Sequence, residues 1–162
     1  MSSKNDKFYL KLALNLAKQN EGLTNENPSV GCVIVKDNKI LSLSKTSISG
    51  RPHAEDNAIR FANTNDLKGS TIYVTLEPCT HHGKTPPCTD LIIKKKISKI
   101  VYSSNDIDER TANKLKKVLK NHNISTKQIR MKEITDFYKS YFFIRKNKFP
   151  YITAKLACSN DY

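Results

Sequence analysis

Three residues able to hold one metal ion lie in two separate stretches of this chain, and any fold it adopts has to bring them together. His53-Ala54-Glu55 supplies a histidine, and Pro78-Cys79 and Pro86-Pro87-Cys88 supply two cysteines. One His and two Cys form the donor set of a zinc centre that keeps its fourth position open for water. Glu55 puts a carboxylate two residues after the histidine, beside that position without being needed as a ligand. A helix-terminal acid that merely balances a macrodipole accounts for the residue type but not for its company.

The patterning supplies elements to carry these residues. From Lys7 to Gln19 the polar positions Lys7, Lys11, Asn15 and Lys18 share one stripe, and the rest is largely apolar, so a helix buried over most of its circumference is expected. A polar loop spans Glu21 to Pro28. Val30 to Val35 and Ile40 to Leu43 read as two strands joined by a turn at Asp37-Asn38-Lys39. Pro52 is expected to open a helix carrying His53 and Glu55, and Thr71 to Leu76 is a core strand ending at Glu77-Pro78. Thr85 reads as an N-cap with Pro86 at the first helical position. Strands at Ile97 to Tyr102 and Ile124 to Ile129 bracket a helix from Asn113 to Asn121. A last helix, Glu133 to Ile144, carries Phe137, Tyr138, Tyr141 and Phe142 on one face, which suits a core or an interface.

Alternating strands and helices predict an α/β fold, a three-layer α/β/α sandwich around a mostly parallel five-stranded sheet opened by an antiparallel hairpin. In it His53 would stand at the first turn of one helix while Cys79 and Cys88 flank the start of another. Helix starts carry partial positive charge, which favours the thiolate that zinc requires.

The 162 residues fit one domain with a core of its own. No apolar run approaches the ~20 residues of a membrane span, and the N-terminus lacks a signal peptide's apolar segment. Two of the four cysteines (Cys32, Cys79, Cys88, Cys158) fall in the metal pattern, so a disulfide framework is not expected and a cytoplasmic location is. The net charge of +13 raises the question of nucleic acid. It comes from 23 Lys against 5 Arg, and the clusters Lys94-Lys95-Lys96 and Lys114-Lys116-Lys117 do not interleave with aromatics. Recognition surfaces favour the forked guanidinium, so nucleic acid is not the expected partner, whereas a phosphorylated small substrate would profit from the field.

Three blocks carry a family resemblance: residues 27–35 (NPSVGCVIV), 50–55 (GRPHAE) and 73–90 (YVTLEPCTHHGKTPPCTD). They resemble the deaminase domain of the bacterial riboflavin-biosynthesis deaminase/reductase, a member of the cytidine deaminase-like superfamily. In much of that superfamily, tRNA adenosine deaminases included, two residues separate the cysteines. Here eight do, filled in the manner of the riboflavin enzymes. The resemblance implies zinc on His53, Cys79 and Cys88, with Glu55 as proton shuttle. It implies hydrolytic deamination of 2,5-diamino-6-ribosylamino-4(3H)-pyrimidinone 5′-phosphate, giving 5-amino-6-ribosylamino-2,4(1H,3H)-pyrimidinedione 5′-phosphate. It places Asn27 on the pyrimidine, His81 and Lys84 along the substrate with Lys84 at the phosphate, and Asp106 and Asp108 in the ribose-phosphate segment. Arg51 and Asp90 match the motif as supports of the fold.

This chain departs from the family in two places. Gly-x-Gly-x-His of the family is here Ser42, Ser44 and Thr46, and the resemblance implies that Thr46, which keeps a hydroxyl at the last position, binds the substrate. Asp-Pro-Asn is here Asp106-Ile107-Asp108, and a second negative charge beside a phosphate is unfavourable unless a Lys or Arg compensates. Residues 150–162 resemble the opening strand of the family's reductase domain, so a deaminase domain at 1–148 and a strand at 149–162 are expected, frayed or paired with another chain. Homo-oligomers and a separate reductase are the partners the resemblance implies. A nucleic-acid base deaminase, and a non-catalytic zinc-stabilised interaction module, are the alternatives.

Overall fold

The computed structural model describes residues 3–63, 65–83 and 85–159. Helix α1 (Ser3–Lys18) leads into the hairpin of β1 (Gly31–Lys36) and β2 (Lys39–Lys45). Then come α2 (Ala54–Phe61), β3 (Thr71–Leu76), α3 (Cys88–Lys94), β4 (Lys99–Ser104), α4 (Leu115–Leu119), β5 (Ser125–Gln128), α5 (Lys132–Phe137) and α6 (Lys139–Asn147). The five strands lie in the order β2-β1-β3-β4-β5. Strand β1 is antiparallel to both neighbours, while β3, β4 and β5 are mutually parallel. Four strands therefore share one direction and β1 alone is reversed, matching the mostly parallel sheet expected.

Local chemistry explains the hairpin. Asp37 and Asn38 both adopt positive φ (49° and 60°), the geometry of a type I′ turn, whose twist suits the flanking strands. Strand β3 is buried at all six positions, as a central strand covered on both faces must be. Tyr73 and Thr75, two positions apart, face the same layer. The Tyr73 ring packs on Tyr9 of α1, 4.9 Å between centroids, and its hydroxyl donates to Asp6 at 2.9 Å. The Thr75 hydroxyl meets that of Tyr138 at 2.6 Å. Helix α1 sits so close over β1 that a Cβ at Gly31 would overlap the carbonyl of Ala13, so only glycine fits there. On α1 the buried stripe is narrower than its composition suggests, because Phe8 is exposed.

Several boundaries differ from the sequence expectation. The helix expected at Thr85-Pro86 begins at Cys88, because a residue before a proline is biased away from helical backbone, as Thr85 and Pro86 both are, and Pro87 is itself extended (φ −63°, ψ 146°). Asn113, expected to start a helix, takes φ 60°, which delays α4 to Leu115. The last helix is interrupted at Tyr138 (φ −86°, ψ 2°), whose buried hydroxyl also donates to the Ser29 carbonyl at 3.0 Å. Residues 149–159 form no strand and are exposed, and residues 160–162 lie outside the described residues. A strand needs a bonded neighbour, and the described residues offer this segment none.

Candidate active site

Strand β3 hands the chain to Glu77-Pro78-Cys79, and Cys88 is the first residue of α3. The Cys88 N–H donates to Cys79 Sγ at 3.1 Å, and Thr89 closes the turn with two bonds to the Cys79 carbonyl. His53 is not inside the first turn of α2 but caps it, with extended backbone (φ −69°, ψ 162°). Its carbonyl accepts from Asn57 N at 3.0 Å while its ring makes no capping bond. The Asn57 amide ties the preceding loop in place through the Lys45 carbonyl and the Ser47 hydroxyl, at 3.0 and 2.9 Å.

These anchors bring His53 Nδ1, Cys79 Sγ and Cys88 Sγ within 4.8 Å of one another. Nδ1 lies 3.7 Å from Cys79 Sγ and 3.4 Å from Cys88 Sγ. A tetrahedral zinc ion with ordinary Zn–S and Zn–N bonds sets nitrogen and sulfur about 3.6 Å apart, so this donor set fits zinc in spacing as well as in type. Hydrogen bonds from the Cys88 thiol, His53 and the Cys88 N–H hold Cys79 down to about 4 despite burial, while the Cys88 thiol is pushed well up. A divalent cation held here would take both sulfurs as thiolates.

Glu55, in the first turn of α2, is only 4% exposed. Burial, and then the negative charge of Cys79, push its carboxyl up to about 7. It lines one cavity with His53 and Cys79, whose walls also include Asn27, Thr46, His81, Asp106 and Asp108. Every residue expected at the substrate and within the described residues reaches this cavity; Lys84 lies outside them. The Asn27 amide is fixed by donating to the Gly50 carbonyl at 3.2 Å, and His81 Nδ1 meets the buried Thr111 hydroxyl at 2.8 Å. The Thr46 hydroxyl is engaged with backbone instead, accepting from Val30 N at 2.9 Å and facing the Pro28 carbonyl.

The compensation that Asp108 requires is present. Arg110 forks onto it, Nε to Oδ1 at 2.9 Å with Nη2 on Oδ2, and this hydrogen bond holds the carboxyl well below the usual range. Glu77 went unnoticed in the sequence. It is 3% exposed and accepts backbone N–H groups of Asp106, Asn113 and Leu115 at 3.2 to 3.4 Å, so it anchors the loop that carries Asp106 and Asp108. Its place between a core strand and Pro78-Cys79 is a signal that was there to read. Arg51 lines the cavity too, but its Nη1 donates to Thr85 at 2.6 Å, in keeping with a supporting role. Tyr141, expected in core or interface, and Arg145 complete the wall from α6.

A His/Cys/Cys set gathered at a strand end and two helix starts, with a buried glutamate beside it, is the site around which zinc deaminases of ring amines are built. The family model for the cytidine and deoxycytidylate deaminase zinc-binding region matches residues 3–104. The chain is 42% identical over 147 residues to the diaminohydroxyphosphoribosylamino-pyrimidine deaminase of Buchnera aphidicola subsp. Acyrthosiphon pisum, covering 90% of this chain and 99% of that one. It is 42% identical over 157 residues to the riboflavin biosynthesis protein RibD of Aquifex aeolicus, covering 96% of this chain and 44% of RibD. The crystal structure of a diaminohydroxyphosphoribosylaminopyrimidine deaminase/5-amino-6-(5-phosphoribosylamino)uracil reductase from Thermotoga maritima superposes with a TM-score of 0.82 at 37% identity, over 90% of this chain and 42% of that one. The chain belongs to the cytidine and deoxycytidylate deaminase zinc-binding family and has its fold. Its relatives at this level of identity are riboflavin-biosynthesis deaminases, and it spans less than half the length of the RibD proteins it matches.

Proposed function

We propose that this chain hydrolyses the 2-amino group from 2,5-diamino-6-ribosylamino-4(3H)-pyrimidinone 5′-phosphate, consuming one water and releasing one ammonia, with zinc on His53, Cys79 and Cys88. The observation that carries this reading is the gathering of those three donor atoms at one point, with His53, Cys79 and Glu55 facing a cavity lined also by Asn27, His81, Asp106 and Asp108. Zinc held there supplies an activated water by lowering its pKa towards ~7. Glu55 takes that water's proton and delivers it to the departing amine, a transfer its buried place beside His53 and Cys79 allows. Asn27, its amide fixed by Gly50, orients the pyrimidine ring, and Asp106 offers acceptors to the ribose hydroxyls. Lys84 meets the phosphate. Thr46 shapes the wall through Val30 rather than bonding the substrate.

The deaminase domain occupies residues 1–148, and residues 149–162 correspond to the opening strand of a reductase domain. The unpaired cysteines Cys32, Cys79, Cys88 and Cys158 fit a reducing cytoplasm, and no helix among the described residues is long and apolar enough to cross a membrane. Homo-oligomers, and a reductase acting on the product, are the partners in this reading.

Ammonia release from the ribosyl phosphate by zinc-loaded protein tests it, with Glu55→Gln as the control. Wild type should turn over, and the variant should lose about 10²- to 10⁴-fold at unchanged zinc content. Zinc-loaded wild type that releases no ammonia refutes the substrate; equal turnover by the variant refutes the proton shuttle.

A further inference from the structure

The chain has five arginines against 23 lysines, yet three of the five, Arg51, Arg110 and Arg145, line the catalytic cavity. That cavity is about 90 Å³, well below the volume a nucleotide-sized ligand fills. It adjoins a wider basin of about 780 Å³, and the residues common to both are Asp108, Arg110 and Arg145. A ligand whose ring sits against His53 and Glu55 therefore has to continue past these three side chains. Their charges are not equivalent. Arg110 is neutralised by its fork on Asp108, and Arg51 keeps its charge but holds Thr85 and does not line the basin. Arg145 is half-buried, with its guanidinium over the Tyr141 ring at 5.8 Å, and no carboxylate pairs with it among the described residues. The basin beyond adds Lys146 and Lys148 against the one further acid, Glu109. A planar guanidinium, steadied by an aromatic face and left without a carboxylate, is suited to bidentate capture of a phosphate.

We propose that Arg145 binds the phosphate monoester of the substrate at the threshold between the two cavities, an assignment that rests on the substrate class proposed above. Asp108 does not repel that phosphate as its charge alone suggests, because Arg110 has already taken it up.

The test uses the zinc-loaded chain, with Arg145→Ala and Arg145→Lys. Calorimetric titration with ribose 5-phosphate should show binding to wild type that weakens about 10- to 100-fold in Arg145→Ala, with Arg145→Lys between them. Ribose without phosphate should not distinguish the three proteins. In turnover, Arg145→Ala should raise KM for the ribosyl phosphate by the same factor at nearly constant kcat and leave KM for the dephosphorylated riboside unchanged. No measurable ribose 5-phosphate binding by wild type, or equal binding by Arg145→Ala, overturns the assignment; so does a riboside KM that rises as much as that of the phosphate. Arg145-dependent binding of ribose 5-phosphate without ammonia release refutes the substrate reading and leaves the phosphate site standing.

Discussion

Replacing Asp6 by Asn removes the carboxylate that ties α1 to both the centre and the edge of the sheet. Asp6 has no exposed side-chain surface, and it accepts from Tyr73 at 2.9 Å and from Lys127 of β5 at 2.7 Å. The asparagine keeps one acceptor for Tyr73 but turns an amide donor towards the ammonium. Breaking one side of a fully buried pair costs about 3–5 kcal/mol; Lys127 is 41% exposed and can reach water, so about 2–3 kcal/mol is expected here. For a chain of this length that lowers Tm by about 4–12 °C. Burial pushes the Asp6 carboxyl up, but the hydrogen bonds from Lys127 and Tyr73 and the field of Lys99 outweigh it and leave it below its ordinary value. A carboxyl depressed in the folded state stabilises fully above its unfolded value near ~4 and loses that contribution as pH falls through the folded value. Urea unfolding of zinc-saturated wild type and Asp6→Asn, from pH 7 down to the acid limit of folding, measures the difference. A gap below about 0.5 kcal/mol at neutral pH, or one that fails to narrow in acid, would refute the reasoning.

Gly31→Ala drives a methyl group into the Ala13 carbonyl and should cost about 3 kcal/mol in chemical denaturation, with α1 displaced from β1. Tyr138→Phe strips a donor from the Ser29 carbonyl and a partner from the Thr75 hydroxyl, and about 1–2 kcal/mol of stability should go with it. Chelation of zinc should abolish ammonia release yet leave a cooperative thermal transition, shifted downwards, because the buried core from Tyr9 to Tyr138 is built without His53, Cys79 and Cys88. Loss of the whole transition would instead mark a metal that holds the fold together.

The gathering of His53, Cys79 and Cys88 beside Glu55 was legible in the sequence because metal-donor chemistry admits few residue types, and the strand leading to Cys79 is marked by a run of β-branched and aromatic residues. Asp37-Asn38 announced its turn for a similar reason, two residues that tolerate positive φ set between β-formers. Helix starts were harder. Pro86 looked like a first helical residue, but a proline following it biases it away from helical backbone. The Thr46 hydroxyl matched a substrate position by type, and only the folded loop shows it spent on Val30. Arg110 and Arg145 were invisible as site residues because their elements, a loop after β4 and the last helix, meet the cavity only through tertiary packing.

The interval from Glu77 to Cys79 works as a ruler. One residue holds the loop bearing Asp106 and Asp108 by three backbone bonds, and the other, two positions on, belongs to the His/Cys/Cys cluster, both lying just past the end of β3. The distance between the His/Cys/Cys end of the cavity and its Asp106/Asp108 end is therefore set by the short backbone run through Pro78. A ligand one bond longer cannot be met by the loop sliding back, since that motion breaks the Glu77 bonds or drags Cys79 off the metal position. Re-gauging this site for another ligand would require moving the anchor at position 77 and not merely changing the side chains that face the ligand.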